Sequence, residues 1–405
     1  MQRTAPEGHG PVRYTPPTPE PGLPPLPELV AVLAGAAGRT APEPPGGGLA
    51  VREAASGFWA RRGLYAPPGQ VVAAPGAPAL LFALLAAHGG DVLLPRPCPA
   101  WWTPQLRLLG RRAHHAPTPA ECGGVPDPYA LLETVRRVRA EGGDPRVLLL
   151  SVADDPTATV APPEVLREAC EAAVFEGMAV IADETWRDTL HRPQDTVLVS
   201  PAEMCPEAVT VLADLRGALL PAGWPAAVAR FPGTARGEEL RARALDVLTA
   251  TGAVLAGPVA GAAAYALGEP DPVAVRGRAT ARLHGQLAAA AHRALLRAGA
   301  LALPPLAGRH LYADLGPLRA GLARHRVGDA LELEDYLGAR LGRPAPGGQR
   351  FADDLGALRV RLETAPLLGE SPQERLAALA APDPLALPHV ARSLADFGSV
   401  FDDLS

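Results

Sequence analysis

The sequence predicts an α/β fold: a large domain with a mainly parallel sheet flanked by helices, then a smaller α+β C-terminal domain. Three observations predict it. Short runs of Val, Leu and Ala recur without polar alternation, the pattern of strands buried on both faces. Helical stretches of about ten residues separate them, as in strand–helix–strand crossovers. After residue 236 the strand signal fades into Ala/Leu/Arg helices up to residue 299, and a mixed tail follows.

Residues 1–48 form a Pro/Gly-rich N-terminal arm ending in PEPPGGG, with a short helix expected at 29–37. VREAASGFWARRGL has the apolar spacing of a helix, closed by Gly63. Residues 71–74, 92–95, 147–152, 179–182 and 210–213 read as buried strands. Residues 79–87, 104–109, 130–140 and 164–176 read as the helices between them. The tail holds strand candidates at 310–314 and 358–362. The domains expected are therefore 1–48, 49–250 (the large α/β unit) and 251–405 (a connecting helix and the small α+β unit).

Of the 405 residues, 48% are hydrophobic and 20% charged, which excludes global disorder. A net charge of −5 gives no basic excess to recruit nucleic acid or an acidic membrane. The longest apolar stretches, such as 79–87, are too short to span a bilayer. MQRTAPEGHG lacks the apolar core of a secretory signal, so a cytoplasmic location is expected. Cys98, Cys122, Cys170 and Cys205 lie far apart, and His114, His115 and His191 have no ligand partners at metal spacing. Neither a disulfide framework nor a metal site is expected.

All 38 basic residues are arginine; the chain contains no lysine and no asparagine, and Ile181 is its only isoleucine. GC-rich coding accounts for such depletion. It does not supply a nucleophilic amine, because arginine stays protonated up to a pKa above about 12. A lysine Schiff base within these residues is excluded.

Six segments, in order, resemble the class I/II aminotransferases, the fold-type-I pyridoxal-phosphate (PLP) family. They are GGGLAVREAASGFWARRGL, QVVAAPGAPALLFALLAAHGGDVLLPRPCPAWW, SVADDPTATVAPPEVL, VIADETWRDT, VLADLRGALLPAGWPAAVARF and LRVRLETAP. Together they cover roughly residues 46–370. The resemblance implies that fold, a homodimer with composite sites, and PLP as cofactor.

It also assigns roles by position. The turn Pro75-Gly76-Ala77-Pro78 matches the phosphate-binding helix start, with Gly76 and Ala77 keeping their N–H groups; an ordinary strand-to-helix turn is the other reading. Asp183 matches the aspartate that pairs with the pyridinium nitrogen, or is a loop acid beside Glu184 and Asp188. Asp155 stands where the family has an asparagine that donates to the ring oxygen, and Trp186 where it has a tyrosine. Pro99 takes the ring-stacking position, with Trp101 and Trp102 just beyond as stacking, core or interface residues. Anchored on Gly223-Trp224, the Schiff-base lysine position falls on Gly217, with Arg216 beside it, and the phosphate arginine falls on Pro225. Arg361 matches the arginine that clamps a substrate carboxylate, or is a strand surface charge like Arg359. Asp154-Asp155 and Asp353-Asp354 read as loop or capping residues.

The expectation is an aminotransferase-like pseudoenzyme that cannot form an internal aldimine. It would bind PLP, pyridoxamine phosphate or an amino-acid-like ligand non-covalently, with no catalytic residue of the ordinary kind. The other readings are a regulatory or partner subunit, and a pocket reused for PLP-independent chemistry.

Overall fold

A computed structural model describes residues 22–404. Residues 1–21 of the expected arm lie outside the described residues. The large sheet contains β1 (Val71–Ala74), β2 (Asp91–Arg96), β3 (Ala113–Pro117), β4 (Pro145–Ser151), β5 (Ala179–Asp183), β6 (Val209–Asp214) and β7 (Ala227–Arg230). Their spatial order is β1-β7-β6-β5-β4-β2-β3. Strand β7 runs antiparallel to both of its neighbours, and the other contacts are parallel. All residues of β1, β6 and β7 are buried, because helices cover both faces.

Two strands of this sheet escaped the sequence reading. Strand β3, at AHHAP, lies on the sheet edge, where its two histidines are only half-buried. Strand β7 follows β6 closely and returns beside it, so it lacks the helical spacer that marks the other strands.

The connecting helix runs from Asp271 to Arg297, after helices Ala235–Ala250 and Gly257–Leu267. A second, antiparallel sheet follows: β8 (Leu301–Ala302), β9 (His310–Asp314) and β10 (Arg359–Glu363), in the order β10-β9-β8. It packs with the connecting helix and the C-terminal helix Pro388–Asp402 around a separate apolar cluster that includes Leu287, Leu311, Val360 and Phe401. Among the described residues, no helix is long and apolar enough to cross a membrane, and no cluster of His, Cys, Asp or Glu has a metal-binding arrangement.

Candidate functional site

In a parallel sheet the carboxyl ends of the strands gather at one edge, and loops there carry polar groups over a shared crevice. Asp183 ends β5, in register with Ser151 of β4 and Leu212 of β6. Asp214 ends β6, and the 75–78 turn leaves β1 on the same edge.

Asp183 is 5% exposed. Burial pushes its carboxyl up to about 7, opposed by hydrogen bonds from Thr185, while Asp214 and Asp155 push it further up. Its Oδ1 accepts the Thr185 N–H at 2.9 Å. Thr185 ties the cluster together, since its Oγ1 accepts the backbone N–H of Asp214 at 3.1 Å.

Asp214 was not assigned a role from sequence, yet it occupies the centre of the site. Its Oδ2 accepts the Ala77 N–H at 2.9 Å, at the start of helix Ala77–His88. A carboxylate there meets the positive end of the helix dipole. Arg216 grips the same carboxylate through Nε at 2.9 Å and a terminal nitrogen at 2.7 Å, and donates its backbone N–H at 2.9 Å. The signal was present as an acid and a base two residues apart beyond a buried strand. Gly76 has φ +96°, which only glycine adopts without strain, and its own N–H is spent on the Ala74 carbonyl. Pro78 has no N–H to offer.

Gly217 packs against the same loop. A Cβ built there would sit 2.2 Å from the Thr185 carbonyl oxygen, closer than any real contact. The glycine therefore allows β6's exit loop to press on the Asp183 loop.

The second sheet closes the crevice from above. Arg361, on β10, directs Nε to Asp155 Oδ1 at 2.9 Å and pairs also with Glu363. Its remaining terminal nitrogen donates to His310 Nδ1 at 3.1 Å. An acceptor role for Nδ1 puts the His310 proton on Nε2, which faces the Asp154 carbonyl at 3.3 Å. Burial and the Arg361 charge hold this imidazole well below its usual pKa, as a neutral ring. Trp186 lies edge-on to His310 at 5.5 Å. Asp154 serves its own turn: its Oδ2 accepts from the Thr157 hydroxyl at 2.6 Å and the Thr157 N–H at 3.2 Å.

The structure thus brings Gly76, Ala77, Asp183, Arg216 and Gly217 into one cluster, and Asp155, Trp186 and Arg361 into a second above it. Trp101 packs edge-on against Trp102 at 6.1 Å, beside the apolar cluster of helix Ala77–His88.

The raised Asp183 carboxyl has a measurable consequence. A folded-state pKa near 7, against about 3.9 in an unfolded chain, means that the folded state binds the extra proton. This contribution favours folding below about pH 4 and is lost as pH rises through about 7. Asp183→Asn keeps the shape without the charge. Urea denaturation should find the variant more stable than wild type at pH 8, by about 1 kcal/mol or more, with the gain shrinking as pH falls and gone below about pH 4.

No family model matches the chain. The probable aspartate/prephenate aminotransferase of Thermus aquaticus is 30% identical over 193 residues, 47% of this chain and 48% of that protein. The aspartate/prephenate aminotransferase of Thermus thermophilus is 29% identical over the same lengths. The match to these curated relatives spans about half of their length. Among solved structures, the Thermus thermophilus aspartate aminotransferase with maleate superposes with TM-score 0.75 at 21% identity, covering 95% of this chain and 89% of that one. The N-succinyldiaminopimelate aminotransferase of Mycobacterium tuberculosis gives TM-score 0.75 at 21% identity, over 94% and 91%. The chain carries the fold of the class I/II aminotransferases, and a relationship to them is supported by sequence similarity over about half its length.

Proposed function

We propose that this protein is a catalytically silent relative of the aminotransferases, whose ancestral anion anchors are held by its own side chains. The observation that carries the reading is the Asp214 carboxylate, which takes the Ala77 N–H and the Arg216 fork together. In the resembling family a cofactor phosphate takes that helix start. At the other end, Asp155 and Glu363 already neutralise Arg361, the guanidinium matched to a substrate carboxylate.

PLP therefore does not fit these residues as its relatives hold it. Asp183 remains suited to a pyridinium nitrogen, but the phosphate end is filled and the lysine position is a glycine with no room for a Cβ. When bound, PLP would supply an electron sink for chemistry at an amino-acid Cα. Here its phosphate would have to displace Asp214, and a substrate carboxylate would have to displace Asp155. With no lysine in the sequence, the ligand could enter only non-covalently.

These features favour a regulatory or partner role over stable cofactor binding. The retained Asp183 is what supports the second reading, a non-covalent PLP, pyridoxamine phosphate or amino-acid-like ligand. Assembly as a homodimer accompanies either reading. Keto-acid release from amino-acid donors tests the proposal, and none is expected above the rate of free PLP.

A further inference from the structure

A cavity of about 1320 Å³ lies between the 187–196 segment, the helix Asp271–Arg297, the 304–306 turn and Ala218-Leu219. Its floor on the helix includes the small residues Gly277, Ala281 and Ala289, while Gly285 packs closely against His191. Arg278, Arg282 and Arg293 rise from the same helix, and Arg192 faces them from the loop. At about 100° per residue the three helical arginines fall within about 60° of arc, and at about 1.5 Å per residue they span about 22 Å.

The charges in this cleft do not balance. Arg62 is taken by Glu269 and Asp188, and Arg187 by Glu184. Among the described residues, the side chains of Arg192, Arg278, Arg282 and Arg293 have no hydrogen-bond or ion-pair partner. Asp195 is the one lining carboxylate left to oppose them. Four unpaired guanidiniums around one concavity concentrate positive potential, even in a chain of net charge −5. The guanidinium fork suits phosphate oxygens. Leu190, Val273, Val275 and Leu306 line the same space and offer an apolar wall for a ligand body.

We propose that this cleft binds a small phosphate-rich polyanion with an apolar or aromatic body, the chemical class of the nucleoside polyphosphates. The inference is independent of the fate of the aminotransferase site. Its four arginines are exposed and unpaired, so their removal costs the fold little.

Isothermal titration of the full-length protein with metal-free ATP tests it. Saturable binding is expected, weakened about tenfold or more by the double substitution Arg278→Ala/Arg282→Ala. Arg297→Ala, on the same helix outside the cavity, should leave the affinity within about twofold. Inorganic tripolyphosphate should bind more weakly than ATP, and citrate more weakly still. Absence of saturable ATP binding, an equal loss in Arg297→Ala, or citrate binding as tightly as ATP would each overturn the proposal.

Discussion

Replacing Asp214 with alanine is expected to destabilise the protein by about 2 kcal/mol or more and to make its stability respond to inorganic phosphate. The carboxylate receives the Ala77 N–H, the Arg216 N–H and two guanidinium donors. Its removal leaves a buried helix-start N–H without a partner and a guanidinium beside it without a counter-ion. Arg216 keeps 33% of its side chain in water, so solvent recovers part of the loss. A free phosphate can take the vacated place, and a ligand at ten times its Kd stabilises the folded state by about 1.4 kcal/mol. Thermal melts in phosphate and in chloride of equal ionic strength should therefore differ more for Asp214→Ala than for wild type. Equal responses would mean that Asp214 is not filling an anion site.

Gly217 substitutions are expected to fail sterically before they can succeed chemically. Gly217→Ala should already cost about 2 kcal/mol, because its Cβ must push the Thr185 carbonyl from 2.2 Å. Thr185 cannot move alone, since it holds both Asp183 Oδ1 and the Asp214 N–H. Gly217→Lys should therefore unfold at lower denaturant than Gly217→Ala and show no transamination. Arg216→Lys separates clash from chemistry: it brings an amine to the same turn at a position that already holds a long side chain. A Schiff base with added PLP is expected there, without full activity, because on the proposed reading Asp155, Trp186 and Pro225 stand at cofactor positions that the resemblance assigns to other residue types. Urea denaturation and a keto-acid assay on the three variants check this order. A transaminating Gly217→Lys would show that only the amine was missing.

The architecture was legible because burial on both faces leaves uninterrupted apolar runs, as at β4, β5 and β6. Strand β7 was missed because hairpin-like return strands carry no helical spacer. At the site, single positions were legible and their partners were not. Asp183 could be placed at its strand end, and the reading of Gly217 as the lysine position rests on its distance to Gly223-Trp224. That Asp214 reaches Ala77, 137 residues away, is a product of sheet order and has no local signature. The same holds for Asp155, which was read as a loop residue standing where the resembling family has an asparagine. In the fold it faces Arg361 across the two sheets, a pairing set by tertiary packing alone.

The most direct test of the account is keto-acid release by the wild-type protein from common amino-acid donors with added PLP. General acid–base assistance by a positioned amine is worth roughly 10²–10⁴ in rate. On the proposed reading, a sequence with no lysine, and with its own carboxylates on both proposed anion anchors, forgoes that assistance. The rate predicted is that of PLP alone at the same concentration. A rate well above it, lost on heat denaturation of the protein, would contradict the account.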